Sequence, residues 1–279
     1  MKGEGFTFAL LKVNMIHFAT LYSGSSGNST VVWDEETAIM IDMGASCKKT
    51  IFALGEVGLA ASKLDAILVT HEHSDHIGGL QIFTKNYPVP VYGTAETKEY
   101  LESRGLVADG IDVEVLIPER TIRIGSFAVT PFSTSHDSRT CCGFRIEKGT
   151  GRVAIATDIG KMEDSVFRYL SDCQLVALES NYDEMMLRNG RYPAALKARI
   201  AGPQGHLSNR ECASTAVRLV NTGMKHLVLM HLSEENNTPA VAETMIYGAF
   251  ENNELADGCC EVYSAPRFAP SKIWRIQEC

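Results

Sequence analysis

The sequence predicts an α/β protein in which two β-sheets pack face to face with helices outside. Three observations predict it. Strand-like and helical patterns interleave in both halves of the chain. No linker or low-complexity stretch separates those halves. A length of 279 residues, with 45% hydrophobic and 22% charged side chains, supplies a substantial core for one large globular domain. That domain is expected over residues 15–279. Residues 1–14 are read as an extension without a role in the fold, and Met15 as a candidate start.

The first third is strand-rich. Ile16–Tyr22, Thr30–Trp33 and Ala38–Ile41 are rich in β-formers and bounded by turn residues, with the polar loop Ser23–Ser29 between the first two. Cys47–Val57 reads as a helix and Ala66–Thr70 as a buried strand. Helices follow over Ile77–Lys85 and Thr94–Arg104. Short strands are expected near Val113–Ile117, Thr121–Ile124, Phe127–Pro131, Cys142–Glu147 and Val153–Ala156. Alternation then resumes: strand Leu175–Glu179, helices from Pro193 and Ser208, strand Leu227–Met230 and helix Pro239–Phe250. Terminal strands near Glu261–Tyr263 and Lys272–Arg275 complete the order.

Composition excludes disorder, collagen-like repetition and a small disulfide scaffold. No apolar run approaches the roughly 20 residues of a membrane span. The apolar stretch Phe6–Leu11 is short for a signal peptide, has Glu4 just upstream and lacks a small-residue cleavage site. None of the eight cysteines forms a C-x-x-C pair, and they read as reduced thiols of a cytoplasmic protein. The adjacent Cys141 and Cys142 read as structural residues of a strand. A net charge of −8 argues weakly against a protein that coats nucleic acid nonspecifically.

Chemistry concentrates at residues 71–76, His-Glu-His-Ser-Asp-His, directly after the strand Ala66–Thr70. Extended backbone points alternate residues the same way, so His71 and His73 face one cation together. The chain must then turn toward the next helix, which presents Asp75 and His76 to a second cation. Three imidazoles and a carboxylate within six residues make a poor surface loop and a poor core segment.

This His-x-His-x-Asp-His motif resembles the metallo-β-lactamase superfamily, which implies a four-layer αββα sandwich with further ligands at strand ends. Asp42 in Ile-Asp-Met-Gly matches an early supporting aspartate. His136, Asp158 and His231 follow later strands in the order the resemblance implies. On that basis His71, His73 and His136 hold one metal, Asp75, His76 and His231 hold another, and Asp158 bridges the two. Two divalent ions are implied, Zn²⁺ first, with Mn²⁺ or Fe also compatible with nitrogen and oxygen donors. Such a pair activates a bridging water and clamps a developing oxyanion. His17 and His226, within strand patterns, read as structural.

Four features narrow the resemblance. His206 in Gly-His-Leu-Ser and Glu179 in Leu-Glu-Ser-Asn are similar to a pair in tRNase Z-like phosphodiesterases, where the histidine protonates the leaving oxygen and the carboxylate orients it. The bland alternatives are a helix-capping surface histidine and a buried structural carboxylate. The segment from Asp158 to His206 is too short for the inserted β-CASP domain of RNase J, and no arm like that of tRNase Z is evident. His73 stands where flavodiiron reductases carry Glu, which disfavours a redox role. Finally, Ser23–Ser29, Asn189–Pro193, Gly205–Asn209 and His231–Pro239 are similar to the YycJ/WalJ-type exonucleases, a resemblance running from about Met15 to about Arg275.

The resemblance implies a bacterial, cytoplasmic, metal-dependent DNA exonuclease of 5′-to-3′ polarity with a repair role, with Asp75, His206 and Glu179 as catalytic residues. Nucleic acid, most of all DNA, is then the partner; no membrane and no organic cofactor are implied, and oligomeric state is open. The alternative is a small-molecule hydrolase of the same fold acting on a thioester, lactone or cyclic phosphodiester. A non-catalytic binding protein built on this fold would lack a ligand, and none is missing. Ser25, Ser26 and Asn28 are candidate phosphate contacts, although a plain glycine-rich connection explains the loop equally well. Arg191, with Arg188, Lys197 and Arg199, either tracks a phosphate backbone or forms a solvated helix face. Residues 186–210 carry five Lys/Arg and no acid, whereas 232–266 carry seven acids and no Lys or Arg.

Overall fold

A computed structural model describes residues 15–277, and the expected extension over 1–14 lies outside the described residues. The first sheet holds β1 (Met15–Tyr22), β2 (Ser29–Trp33), β3 (Ala38–Ile41), β4 (Ala66–Leu68), β5 (Val91–Gly93) and β6 (Val113–Val115). The second holds β7 (Ile122–Ile124), β8 (Phe127–Thr134), β9 (Cys141–Lys148), β10 (Gly151–Ala156), β11 (Leu175–Glu179), β12 (His226–Met230) and β13 (Glu261–Ser264). The final strand, β14 (Trp274–Gln277), returns to the first sheet beside β1, giving two seven-stranded sheets among the described residues.

Both sheets are mixed. Antiparallel pairing joins β1 to β3, and parallel pairing runs from β3 to β6. In the second sheet β7 to β10 pair antiparallel and β10 to β13 parallel. Helices α1 (Cys47–Glu56), α2 (Ser74–Ile77), α3 (Leu80–Asn86) and α4 (Ala95–Ser103) accompany the first sheet. The second half contributes α5 (Asp164–Leu170), α6 (Glu184–Asn189), α7 (Ala194–Ile200), α8 (Asn209–Val220) and α9 (Pro239–Asn252).

Three apolar clusters correspond to the three interfaces of a four-layer αββα sandwich. Between the sheets lie Ile16, Phe18, Ile39, Ile41, Phe144, Leu175 and Ala177. Met40, Ile67 and Val91 pack outward on Ala53, Leu54, Phe83 and Leu101 of α1, α3 and α4. Val176 and Leu178 pack outward on Val166 of α5, Ala216 of α8 and Ile246 of α9. Central strands are apolar on both faces, so alternate residues enter different clusters. This is why β11 reads as an unbroken run, Leu-Val-Ala-Leu.

The structure departs from the sequence expectations in specific places. The helix expected over Ile77–Lys85 is two helices, α2 and α3, broken at Gly78 and Gly79. A Cβ at Gly79 would stand 2.1 Å from the Ala45 carbonyl, so the backbones meet where only glycine fits. The strand expected through Thr70 ends at Leu68, because Thr70 N–H leaves the ladder to bond Asp42 Oδ1 at 2.8 Å. The last strand is Trp274–Gln277 rather than Lys272–Arg275, and β5, α5 and α6 were not anticipated. No disulfide joins the described cysteines. Among the described residues no helix is long and apolar enough to cross a membrane.

Candidate metal centre

The parallel strands β3, β4, β10 and β12 end at one edge of the sandwich, and the polar residues that follow them converge there. Open α/β sheets place ligands beyond such carboxyl ends. Asp42 follows β3, residues 71–76 follow β4, Asp158 follows β10 and His231 follows β12. His136 arrives from the end of β8. Asp42, Asp158 and His231 have φ of 59°, 58° and 55°, the left-handed region that non-glycine residues rarely occupy. Three such residues at one site mark a backbone held in place by its surroundings. Gly44 fits the same picture, since a Cβ there would stand 1.6 Å from the Asp75 carbonyl oxygen.

Ligand atoms of His71, His73 and His136 lie within 4.8 Å of one another, and so do those of Asp75, His76 and His231. Asp158 falls between the two triads. It shares that spacing with His71 and His76 on one side and with Glu179, His206 and His231 on the other. His71 Nε2, His231 Nε2 and Asp158 Oδ2 are buried without a hydrogen-bond partner. Orphaned buried polar atoms are costly, and three of them within these donor groups fit a cation site. The donor set is nitrogen and oxygen only, so the residues present suit a divalent metal.

Five of the six histidines, His73 excepted, have a ring nitrogen tied down. Asp42 Oδ2 accepts from His76 Nδ1 at 2.7 Å and from Thr70 Oγ1 at 2.8 Å. Since the Thr70 hydrogen goes to that carboxylate, His71 Nδ1, 3.0 Å from Thr70 Oγ1, is the donor of its pair. His136 Nδ1 donates to the Gly205 carbonyl at 3.0 Å. Glu179, fully buried, accepts His206 Nδ1 at 2.8 Å and His231 Nδ1 at 2.9 Å on one oxygen. Its other oxygen accepts the N–H groups of Ile159 and Leu207. Partners on Nδ1 leave Nε2 to face the centre, an arrangement usual for metal-ligating histidines. Glu179's hold on His231 as well as His206 was not foreseen.

Charge follows the same geometry. Burial, then the neighbouring imidazoles, hold His71 well below its ordinary pKa. Burial also opposes charge on His76, but Asp42 and Asp158 outweigh it and raise the group to about 9. His206 is raised too, where Glu179 overcomes burial. Burial disfavours ionised Asp75, Asp158 and Glu179, yet the adjacent His231, His76 and His206 keep all three below the usual carboxylate range. The cluster is built to hold carboxylates ionised against positive charge.

Around this core, Ser25 and Ser26 are exposed on the loop after β1, as a substrate contact requires. Asn28 departs from the expected grouping with them. It is 2% exposed and its oxygen accepts Gly24 N–H. Its amide lies 3.3 Å from Asp75 Oδ2 and 3.1 Å from His76 Nε2, so it braces the site from inside. Arg191 is exposed between α6 and α7, while Arg199 on α7 pairs with Asp137. His206 does not cap α8; the Ser208 side chain does. His17 stacks on Trp33 and His226 pairs with Glu261, both apart from the cluster. Burial pushes the Cys141 and Cys142 thiols upward, which suits inert core residues.

A family profile described as "Beta-lactamase superfamily domain" matches residues 37–232, from the start of β3 to just past His231. The chain belongs to the metallo-β-lactamase superfamily. Within it, the chain is 31% identical to "Exodeoxyribonuclease YycJ" of Bacillus anthracis, over 92% of this chain and 98% of that protein. It is also 31% identical to "Exodeoxyribonuclease WalJ" of Streptococcus pneumoniae, over 86% of this chain and 90% of that one. The metallo-β-lactamase fold protein YhfI from Bacillus subtilis superposes with a TM-score of 0.70 at 20% identity, covering 94% of this chain and all of the other. The expected four-layer fold and YycJ/WalJ kinship are both borne out. This superfamily member is a metal-dependent hydrolase, with His/Asp clusters able to bind metal ions.

Proposed function

We propose that this hydrolase is a binuclear phosphodiesterase that degrades DNA from an end, with 5′-to-3′ polarity, in a cytoplasmic repair role. Residues 15–279 form its hydrolase domain. The observation that carries the reading is the Glu179–His206 pair. His206 Nδ1 is fixed on the carboxylate, its side chain is 21% exposed, and Nδ1 lies 3.6 Å from Asp158 Oδ1. A histidine that is anchored, partly open and beside the donor cluster suits protonation of a leaving oxygen. The exodeoxyribonuclease names of the two relatives support the choice of DNA.

In this reading His71, His73 and His136 hold one cation, Asp75, His76 and His231 hold the second, and Asp158 lies between them. Zn²⁺ is the first choice, Mn²⁺ or Fe the others. Two such ions supply Lewis acidity and a nucleophilic water at neutral pH. The chain's own residues do the rest. Asp42 and Glu179 fix ring orientations, Asp75 adds the carboxylate that sets the nucleophile's direction, and His206 delivers the proton to the leaving group. Ser25, Ser26 and Arg191 position the phosphate backbone.

The test couples metal analysis to degradation of end-labelled duplex DNA, single-stranded DNA and RNA. Shortening of labelled DNA from one end by the metal-loaded protein is expected. Turnover of a thioester or lactone with every nucleic acid intact would overturn the reading.

A further inference from the structure

Beside His206 lies a pocket of about 190 Å³, walled by Asp137, Tyr192, Leu196, Arg199, Ile200 and Gly205 together with His206. It is smaller than the 300 Å³ or so at which drug-sized sites begin, so it admits one flat ring system rather than a strand. Its main wall is α7, a helix with no buried residue, so Leu196 and Ile200 are left only partly covered. The helix is nonetheless anchored to the site. His206 N–H donates to the Ile200 carbonyl at 2.9 Å, and Arg199 pairs with Asp137, the neighbour of His136. The His206 ring in turn stands 5.1 Å from that of His136.

We propose that this pocket seats the nucleobase of the nucleotide whose sugar oxygen leaves, with the Tyr192 ring as its stacking platform. The assignment rests on the phosphodiesterase reading above. Three features select a base as occupant. The pocket adjoins the residue that serves the leaving oxygen, so its contents belong to the leaving nucleotide. Its walls offer an aromatic ring, aliphatic side chains and a guanidinium whose charge Asp137 balances, so a base is held by its flat face, which suits an enzyme that must accept every sequence. Residues 186–210, which include α7, carry five Lys/Arg and no acid, matching a polyanion arriving at this side. Tyr192 is a base-binding residue here and has no part in bond breaking.

The experiment uses the metal-loaded full chain and end-labelled DNA with an abasic residue at the terminal or the penultimate nucleotide. Wild-type kcat/KM should fall about 5- to 150-fold for one of the two positions, the range expected for one base–aromatic stack, and little for the other. Tyr192→Ala should lose a similar factor on intact DNA and become indifferent to that abasic residue, while Tyr192→Phe keeps both the rate and the discrimination. Thermal midpoints report folding, and Leu196→Trp, which fills the pocket, gives the same test if Tyr192→Ala does not fold. Equal wild-type rates on intact and abasic ends, or undiminished abasic sensitivity in the variants, would overturn the assignment and leave the phosphodiesterase reading standing. Failure of the wild type to cut any nucleic acid would remove that reading, and the pocket's role with it.

Discussion

Replacing Glu179 by Gln tests whether one buried carboxylate sets the chemistry of two histidines. The carboxylate accepts four donors: Ile159 N–H at 2.8 Å, Leu207 N–H at 3.0 Å, His206 Nδ1 at 2.8 Å and His231 Nδ1 at 2.9 Å. Gln has nearly the same shape but only one accepting atom, so two of the four donors would face an NH₂ group. Each stranded donor costs about 1–3 kcal/mol, hence about 2–6 kcal/mol if nothing adjusts. The two backbone N–H groups cannot adjust. The imidazoles can, by moving their proton to Nε2. The amide nitrogen should therefore turn toward the histidines, and His231 then presents N–H where it had offered a lone pair. The expected variant folds with a modest loss of stability but binds metal about 10- to 100-fold more weakly. Its turnover should fall by about 10²–10⁴, as expected for a misdirected general acid. Metal titration by calorimetry, thermal unfolding of the metal-free chain and the DNA assay read the three effects separately. Wild-type metal affinity together with wild-type turnover would refute the reasoning.

Other changes have distinct signatures. His73→Ala should lose bound metal and all hydrolysis, whereas His206→Ala should keep metal by elemental analysis and lose most turnover; metal loss in the second would exchange the roles of His206 and His231. Gly44→Ala forces a methyl group onto the Asp75 backbone carbonyl and should cost about 1–3 kcal/mol or more in denaturant unfolding. Wild-type stability in that variant would show that the approach of the two backbones is not tight. Asp34 ties the β2–β3 turn to the second sheet through Lys148 at 2.6 Å and Ser126 at 2.5 Å. Asp34→Ala strands the half-buried Lys148 ammonium and should cost about 1–3 kcal/mol. Burial opposes ionisation of Asp34, but Lys148, Ser126 and the N–H groups of Glu36 and Thr37 overcome it and depress its pKa. A depressed carboxylate stabilises fully above its unfolded value, about 3.9. That stabilisation is lost as pH falls through the folded value. The stability gap between wild type and Asp34→Asn should accordingly be constant at neutral pH and close below about pH 4; a gap that widened in acid would contradict the assignment.

What the sequence revealed depended on how locally each feature is encoded. Residues 71–76 were legible because strand and helix geometry alone make His71, His73, Asp75 and His76 converge within a few residues. His136, Asp158 and His231 were reached only through family resemblance, since strand pairing in the second sheet is what brings β8, β10 and β12 to one edge. The left-handed backbones of Asp42, Asp158 and His231 leave no mark in residue type, because any short polar residue at a strand end looks alike. Asn28 was misgrouped for a related reason: Ser-Ser-Gly-Asn reads as one polar loop, and only the folded contacts show that the asparagine turns inward. The break between α2 and α3 was written in Gly78–Gly79. Its cause, the backbone of residues 44–45 lying against them, is tertiary.

Net charge is a coarse guide to partners for a structural reason. The figure of −8 sums over a surface on which charge is segregated. Glu243 and Glu251 lie on α9, and Glu254 and Asp257 on the turn after it, in the outer helical layer of the second sheet. Arg188, Lys197 and Arg199 lie on α6 and α7, and α7 walls the pocket beside His206. A polyanion would be repelled by the first surface and drawn to the second, so under the proposed function the acidic layer would direct DNA toward α7 instead of opposing its binding. At the centre itself, Asp75, Asp158 and Glu179 stay ionised among six imidazoles of the same cluster, and divalent cations held there would add positive charge that no side-chain sum contains. Affinity for DNA should therefore weaken steeply with salt despite the acidic whole, because the slope counts the phosphates contacted locally and ignores the far face.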